Sequence, residues 1–154
     1  MQIRTDDLSA PEVQSLIAEH LREMHETSPP ESVHALGVED LRTAGVTFWT
    51  AWDQGELLGC GALAGHESGE AEIKAMRTAV VARGRGVATA MLEHLITEAR
   101  ARGIRRLSLE TGTEDHFAPA RRLYARHGFA ECPPFGDYTE DPHSVFMTLN
   151  LGIG

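Results

Sequence analysis

The sequence predicts one α/β domain built on a mixed, mostly antiparallel sheet, with one parallel βαβ pair and helices on its flanks. Three observations point there. The runs VTFWTAW, LLGCGALA and EAEIKAMRT are β-rich and separated by short turn segments. A helix-period segment, VATAMLEHLITEARA, divides the last of these from a further β run, RRLSLET. The 154 residues suit a single domain, 1–154, in which roughly two thirds of the unfolded surface is buried.

Each element has a local reason. Residues 2–5 read as a short strand. Ser9-Ala10-Pro11-Glu12 has the S-x-x-E form of a capping box, with proline early in the first turn. Val13, Leu16, Ile17, Leu21 and Met24 follow at helical spacing, which predicts a helix over about 10–25. Pro29-Pro30 interrupts it, and a second short helix is expected from Val38 to Thr43. A turn at Asp53-Gln54-Gly55 and a glycine-rich turn at 65–69 join the three β runs into an antiparallel meander. Val87, Ala88, Met91, Leu92, Leu95, Ile96 and Ala99 then mark one helix face, which ends at Gly103. A strand, a crossover helix and a strand make a βαβ unit, so those strands should be parallel and their connection right-handed. A helix over about 117–127 stops at Gly128, and SVFMTLNL closes the chain as a strand. This order fits neither a doubly wound nucleotide fold nor a barrel.

Composition narrows the function classes. Hydrophobic residues at 42% and charged residues at 24% are ordinary for a globular domain, which argues against disorder, collagen and coiled coil. No run approaches the roughly 20 apolar residues of a membrane span, and MQIRTDDLSAPE lacks the order of a signal peptide, so a cytoplasmic protein is expected. Cys60 and Cys132 alone give neither a disulfide framework nor a metal cluster, and both read as plain thiols. Residues 77–126 hold ten arginines against five acids, a local +5 inside a net charge of −9, so the rest of the chain carries −14. Such a chain is a poor nucleic-acid binder, but it can hold a small polyanion locally and attract a cationic partner elsewhere.

The stretch RGRGVATAML places Arg83, Gly84, Arg85 and Gly86 at a helix entrance, where the first-turn N–H groups lack intrahelical partners and suit an anion. It contains neither a P-loop nor a G-x-G-x-x-G fingerprint, since Thr89 stands where the third glycine would be. What remains is R-x-x-G-x-A, formed by Arg83, Gly86 and Ala88, which serves a phosphate site or a tight turn equally. Downstream, Ala120, Leu123, Tyr124, Gly128 and Phe129 keep the spacing A-x-x-L-Y-x-x-x-G-F.

Together these two motifs resemble those of the GCN5-related N-acetyltransferase (GNAT) family, over about residues 45–150. The resemblance implies the acyl-CoA N-acyltransferase fold and transfer of an acetyl group from acetyl-CoA to a primary amine, with no metal. It implies a pyrophosphate held by the amides of Arg85, Gly86, Val87 and Ala88, joined by Gly84 and Thr89. Arg83 and Arg85 would add charge or simply face solvent. The pantetheine arm would pair with the strand before the loop, at Met76, Arg77 and Thr78, and pass Phe117 and Ala120. Relatives often carry asparagine where Phe117 stands and proline where Val80 stands; Phe117 offers no side-chain hydrogen bond, leaving His116 as a substitute.

By the same resemblance Tyr124 is the candidate acid for the departing thiolate, with a core aromatic as its other reading. Glu72 resembles the base of histone-type members, Glu110 is the second candidate, and an ordered water is the third. Either glutamate could instead be an exposed rim residue. Acceptor choice should lie in HLREMHETSPPESVHALG and CPPFGDYTEDPHS, where Glu26, Glu31, His34, Asp137, Tyr138, Glu140 and Asp141 offer polar groups. A small-molecule amine is the expected acceptor. A protein or peptide amine and a non-catalytic acyl-CoA sensor are the alternatives, and a homodimer is expected from family habit.

Overall fold

The computed structural model describes residues 1–66 and 69–152. Seven strands form one sheet: β1 (Gln2–Thr5), β2 (Val46–Asp53), β3 (Glu56–Gly65), β4 (Glu70–Thr78), β5 (Arg106–Gly112), β6 (Ala130–Glu131) and β7 (Ser144–Asn150). Their order is β1-β2-β3-β4-β5-β7-β6, and only β4 and β5 run parallel. The helices are α1 (Pro11–Thr27), α2 (Val38–Leu41), α3 (Val87–Ala101) and α4 (Ala118–Arg126). The mixed sheet, the meander and the parallel pair around α3 are those expected from the sequence.

Local chemistry explains the joints. β2 turns into β3 through Gln54 and Gly55, both at positive φ (51° and 78°), the backbone of a two-residue hairpin whose twist matches the strands. The turn expected at 65–69 lies partly outside the described residues. The capping box does not form: Ala10 is the N-cap of α1 and makes no side-chain cap, while the Ser9 hydroxyl donates to Asp7 at 2.6 Å. An aspartate two residues away outcompetes the helix end for that hydroxyl. The edge strand β6 is two residues long and was not expected from sequence, being too short to show a period.

Two cores cover the two sheet faces. On one, α1 buries Val13, Leu16 and Ile17 with Phe48, Cys60 and Ala62. On the other, α3 buries Met91, Leu92 and Leu95 with Ile73, Leu107, Leu109 and Tyr124. Each large apolar side chain so buried contributes about 1.5–3 kcal/mol. Gly61 lets α3 approach the sheet: a Cβ there would stand 2.8 Å from Cγ of Met91.

Candidate active site

The parallel pairing of β4 with β5 stops early. Glu70, Ala71 and Glu72 pair with Arg106, Leu107 and Ser108, and beyond them the two strands have no shared register. A bulge in β4 marks the departure. Cys60 faces Arg77 and Ala62 faces Lys74, so Gly61 opposes both Ala75 and Met76, with Ala75 at φ 55°. The sheet therefore opens, and a cavity of about 480 Å³ fills the gap.

That gap gathers much of the predicted site. Met76, Arg77 and Thr78 form one lip, Glu110 the other, and Phe117, Ala120 and Tyr124 the α4 side. Arg83, Val87 and Ala88 lie at the α3 end, and His34 lines the cavity from the α1–α2 loop. Gly84, Arg85, Gly86 and Thr89 are not part of the wall, and Glu31 is exposed away from it.

At the start of α3 the first-turn amides precede the first intrahelical donor. Gly84 and Gly86 adopt φ of 79° and 77°, with open space where a Cβ would stand, so conformation rather than crowding demands glycine. Ala90 is the first residue to donate into the helix, to the Gly86 carbonyl at 3.0 Å, and the amides of Val87, Ala88 and Thr89 precede it. Arg83 is half exposed at this end of the cavity. Arg85 turns the other way, to Glu56 at 3.3 Å and Asp53 at 3.6 Å on the β2–β3 hairpin.

The two candidate bases differ in setting. Glu72 is 4% exposed and is not in the cavity wall. Its Oε1 meets Nε2 of His66 at 2.9 Å, and its Oε2 accepts from the Tyr138 hydroxyl at 2.5 Å. Glu110 lines the cavity and accepts from the Ser144 hydroxyl at 2.9 Å. Burial pushes its carboxyl up to about 7, against the pull of Ser144 and Lys74 and with added repulsion from Glu72 and Asp141. A carboxyl at that value accepts a proton usefully near neutral pH. Tyr124 is buried, and its hydroxyl makes no hydrogen bond among the described residues. Burial, then the charge of Glu110, pushes its phenol well above the ordinary value, so it stays protonated.

Three charged or titratable wall residues were not singled out one by one: Lys74, read only as part of a strand, and His20 and Glu23, which lie within the segment expected to choose the acceptor. Glu23 of α1 binds Nη1 of Arg77 at 2.5 Å and Nε2 of His116 at 2.7 Å, tying β4 to the segment before α4. The Arg77 side chain is thereby turned to α1, where Glu19 takes Nη2 at 2.9 Å. His20, next on that helix face, is held neutral: burial and then the charge of Arg77 lower its imidazole to about 4. Such a face shows in sequence only as helical spacing, because its partners lie more than fifty residues away. Cys60, also in the wall, is a plain buried thiol, as expected from its sequence context, and burial pushes it up to about 12.

Comparison with known proteins adds the remaining observation. The family model described as "Acetyltransferase (GNAT) family" matches residues 11–129. The chain is 54% identical over 151 residues to the uncharacterized N-acetyltransferase YsnE of Bacillus subtilis, covering 98% of this chain and 100% of that one. It is 40% identical over 140 residues to an IAA acetyltransferase of Azospirillum brasilense, covering 90% of each. Among solved structures, a candidate acyl-CoA N-acyltransferase from Klebsiella pneumoniae superposes with a TM-score of 0.78 at 32% identity, covering 98% of this chain and 97% of that one. A glycine-shaped amide cradle, a sheet split at its parallel pair and these relatives agree: the chain belongs to the GNAT family and is an acetyl-CoA-dependent acyltransferase.

Proposed function

We propose that this chain moves the acetyl group of acetyl-CoA to a primary amine of a small molecule, by direct attack within a ternary complex. The observation that carries the reading is the split between β4 and β5, which puts the α3 amides, Glu110 and Tyr124 on one cavity. The residues fit the cosubstrate on two counts. Val87, Ala88 and Thr89 precede the first intrahelical donor and suit a pyrophosphate. Beyond Glu72 the β4 edge, including Met76 and Thr78, has no strand beside it on the β5 side, and a pantetheine amide can pair there as a strand would.

When bound, acetyl-CoA supplies an activated thioester carbonyl. The chain does the proton work. Glu110 removes the proton of the incoming ammonium, for which its raised carboxyl is suited. Tyr124 holds its phenol proton until the sulfur departs and delivers it there, and the second proton lost by the acylated nitrogen restores the phenol. Glu72, with both oxygens engaged, acts as a structural anchor.

A bridge between two loops at the acceptor end favours a small molecule over a polypeptide. The Ser32 hydroxyl donates to Asp141 at 2.6 Å, joining the α1–α2 loop to the late loop over that end. The presence of both an acid and a base favours catalysis over acyl-CoA sensing. The test is acetyl-CoA-dependent thiol release with mass detection of product, run over small amines, amino acids and peptides. Acetylated small amines support the reading; product from peptides alone, or cosubstrate binding without any transfer, refutes it.

A further inference from the structure

The cavity wall holds a lysine that no mechanism above uses. Lys74 lies on β4, with its side chain 11% exposed, in the cavity wall. Its ammonium has three hydrogens to place. One goes to the carbonyl of His34 at 3.0 Å and one to the Tyr138 hydroxyl at 2.9 Å. Among the described residues the third has only Oε2 of Glu72 at 3.4 Å, longer than the roughly 2.7–2.9 Å of a charge-assisted bond. That oxygen already takes the Tyr138 proton.

Across the opening stands Glu110. Glu72 and Ser108 are the last paired partners, so Lys74 and Glu110, each two residues further on, point to the same side of the sheet from opposite lips. They feel each other's charge, yet among the described residues they form no ion pair. A cation with a spare donor and a carboxylate facing it across a gap are complementary to a molecule with both charges. The two wall arginines stand elsewhere: Arg77 is held by Glu19 and Glu23, and Arg83 lies at the α3 end, 3.8 Å from Glu23.

We propose that the acceptor is a small amine that also carries a carboxylate, as an amino acid does, with the carboxylate seated on Lys74 and the amine presented to Glu110. This deepens, and rests on, the reading of the site as an N-acetyltransferase. The overall charge of −9 favours a purely cationic amine only weakly at this site, since charges beyond roughly 10 Å are screened; Glu72, 3.4 Å from the ammonium, offsets part of the charge of Lys74, and the spare donor rather than net charge seats the carboxylate.

The test uses the native enzyme, acetyl-CoA, and the standard L-amino acids beside their carboxamides and decarboxylated amines. The free acids should exceed their carboxamides in kcat/KM by about 10- to 100-fold, the range for a hydrogen bond to a charged group. Lys74→Met should remove that preference by slowing the acids far more than the carboxamides, and Lys74→Arg should restore part of it. Equal turnover of acids and carboxamides by the native enzyme would overturn the proposal while leaving amine acetylation standing. So would a Lys74→Met variant that slows both series alike. No product from any amine would overturn both. The native series decides even if the variants fail to fold.

Discussion

Tyr138 donates its phenol proton to Oε2 of Glu72 at 2.5 Å, across 66 positions of the chain. Burial, and then the charge of Glu72, pushes that phenol far above its ordinary value, so the proton stays on Tyr138. The bond ties the late loop to the head of β4. Losing it leaves that buried carboxylate oxygen with Lys74 at 3.4 Å as its remaining partner among the described residues. Tyr138→Phe is therefore expected to lower unfolding free energy by about 1–3 kcal/mol. A denaturant titration checks it; an unchanged midpoint would mean that Glu72 is satisfied in another way.

Glu110 links stability to activity with opposite signs. Its folded carboxyl lies at about 7, above the ordinary 4.5. Between those values the folded state binds more protons than the unfolded one. The stability it contributes below pH 4.5 is therefore lost as pH rises to 7, by roughly 3 kcal/mol in all. Activity should rise over the approach to pH 7 as the base ionises. Glu110→Gln should raise the melting temperature at pH 8, leave it nearly unchanged at pH 4.5, and lower turnover by about 10²- to 10⁴-fold. If the variant keeps native turnover and its acid limb, the base lies elsewhere.

The sequence made some of this legible and hid the rest for physical reasons. Gly84 and Gly86 announce the α3 entrance because positive φ excludes nearly every other residue there. The resemblance put a pantetheine arm on β4, but residue type does not reveal the split beside it: the bulge that accompanies it falls at Ala75, an alanine with nothing in its type to mark it. Arg85 looked like a phosphate ligand beside the glycines, but its partners Asp53 and Glu56 stand about thirty positions earlier, and their pairing needs the folded hairpin. Lys74 read as one residue of a strand. What distinguishes it are His34 and Tyr138, 40 and 64 positions away in opposite directions. Local backbone needs are written in residue type; the company a side chain keeps is not.

Gly86 offers a clean separation of conformation from contact. Its φ is 77° and nothing lies within 4 Å of the point a Cβ would occupy, so an added methyl group meets no neighbour. The cost of Gly86→Ala is then the left-handed backbone alone, about 1–2 kcal/mol. If the loop relaxes to escape that cost, the amides of Val87 and Ala88 turn with it. Calorimetry should show acetyl-CoA binding weakened by about tenfold, while an alanine at the exposed Gly152, also at positive φ (85°), should leave binding unchanged. Full affinity in Gly86→Ala would detach the amide cradle from the cosubstrate.

Tyr124 is the residue whose removal best isolates the leaving-group step. It packs against Phe129, ring centroids 5.8 Å apart, and belongs to the core beneath α3 and α4, so a phenylalanine keeps its shape. Its hydroxyl has no protein partner among the described residues, so deletion leaves no buried group unsatisfied. Stability in Tyr124→Phe should therefore change by less than about 0.5 kcal/mol. Turnover should fall by about 10²-fold or more, the scale of general acid catalysis, with the affinity for acetyl-CoA unchanged. Steady-state kinetics beside calorimetry separates these. A variant with unaltered kcat would reduce Tyr124 to a packing residue, and the sulfur would then take its proton from water.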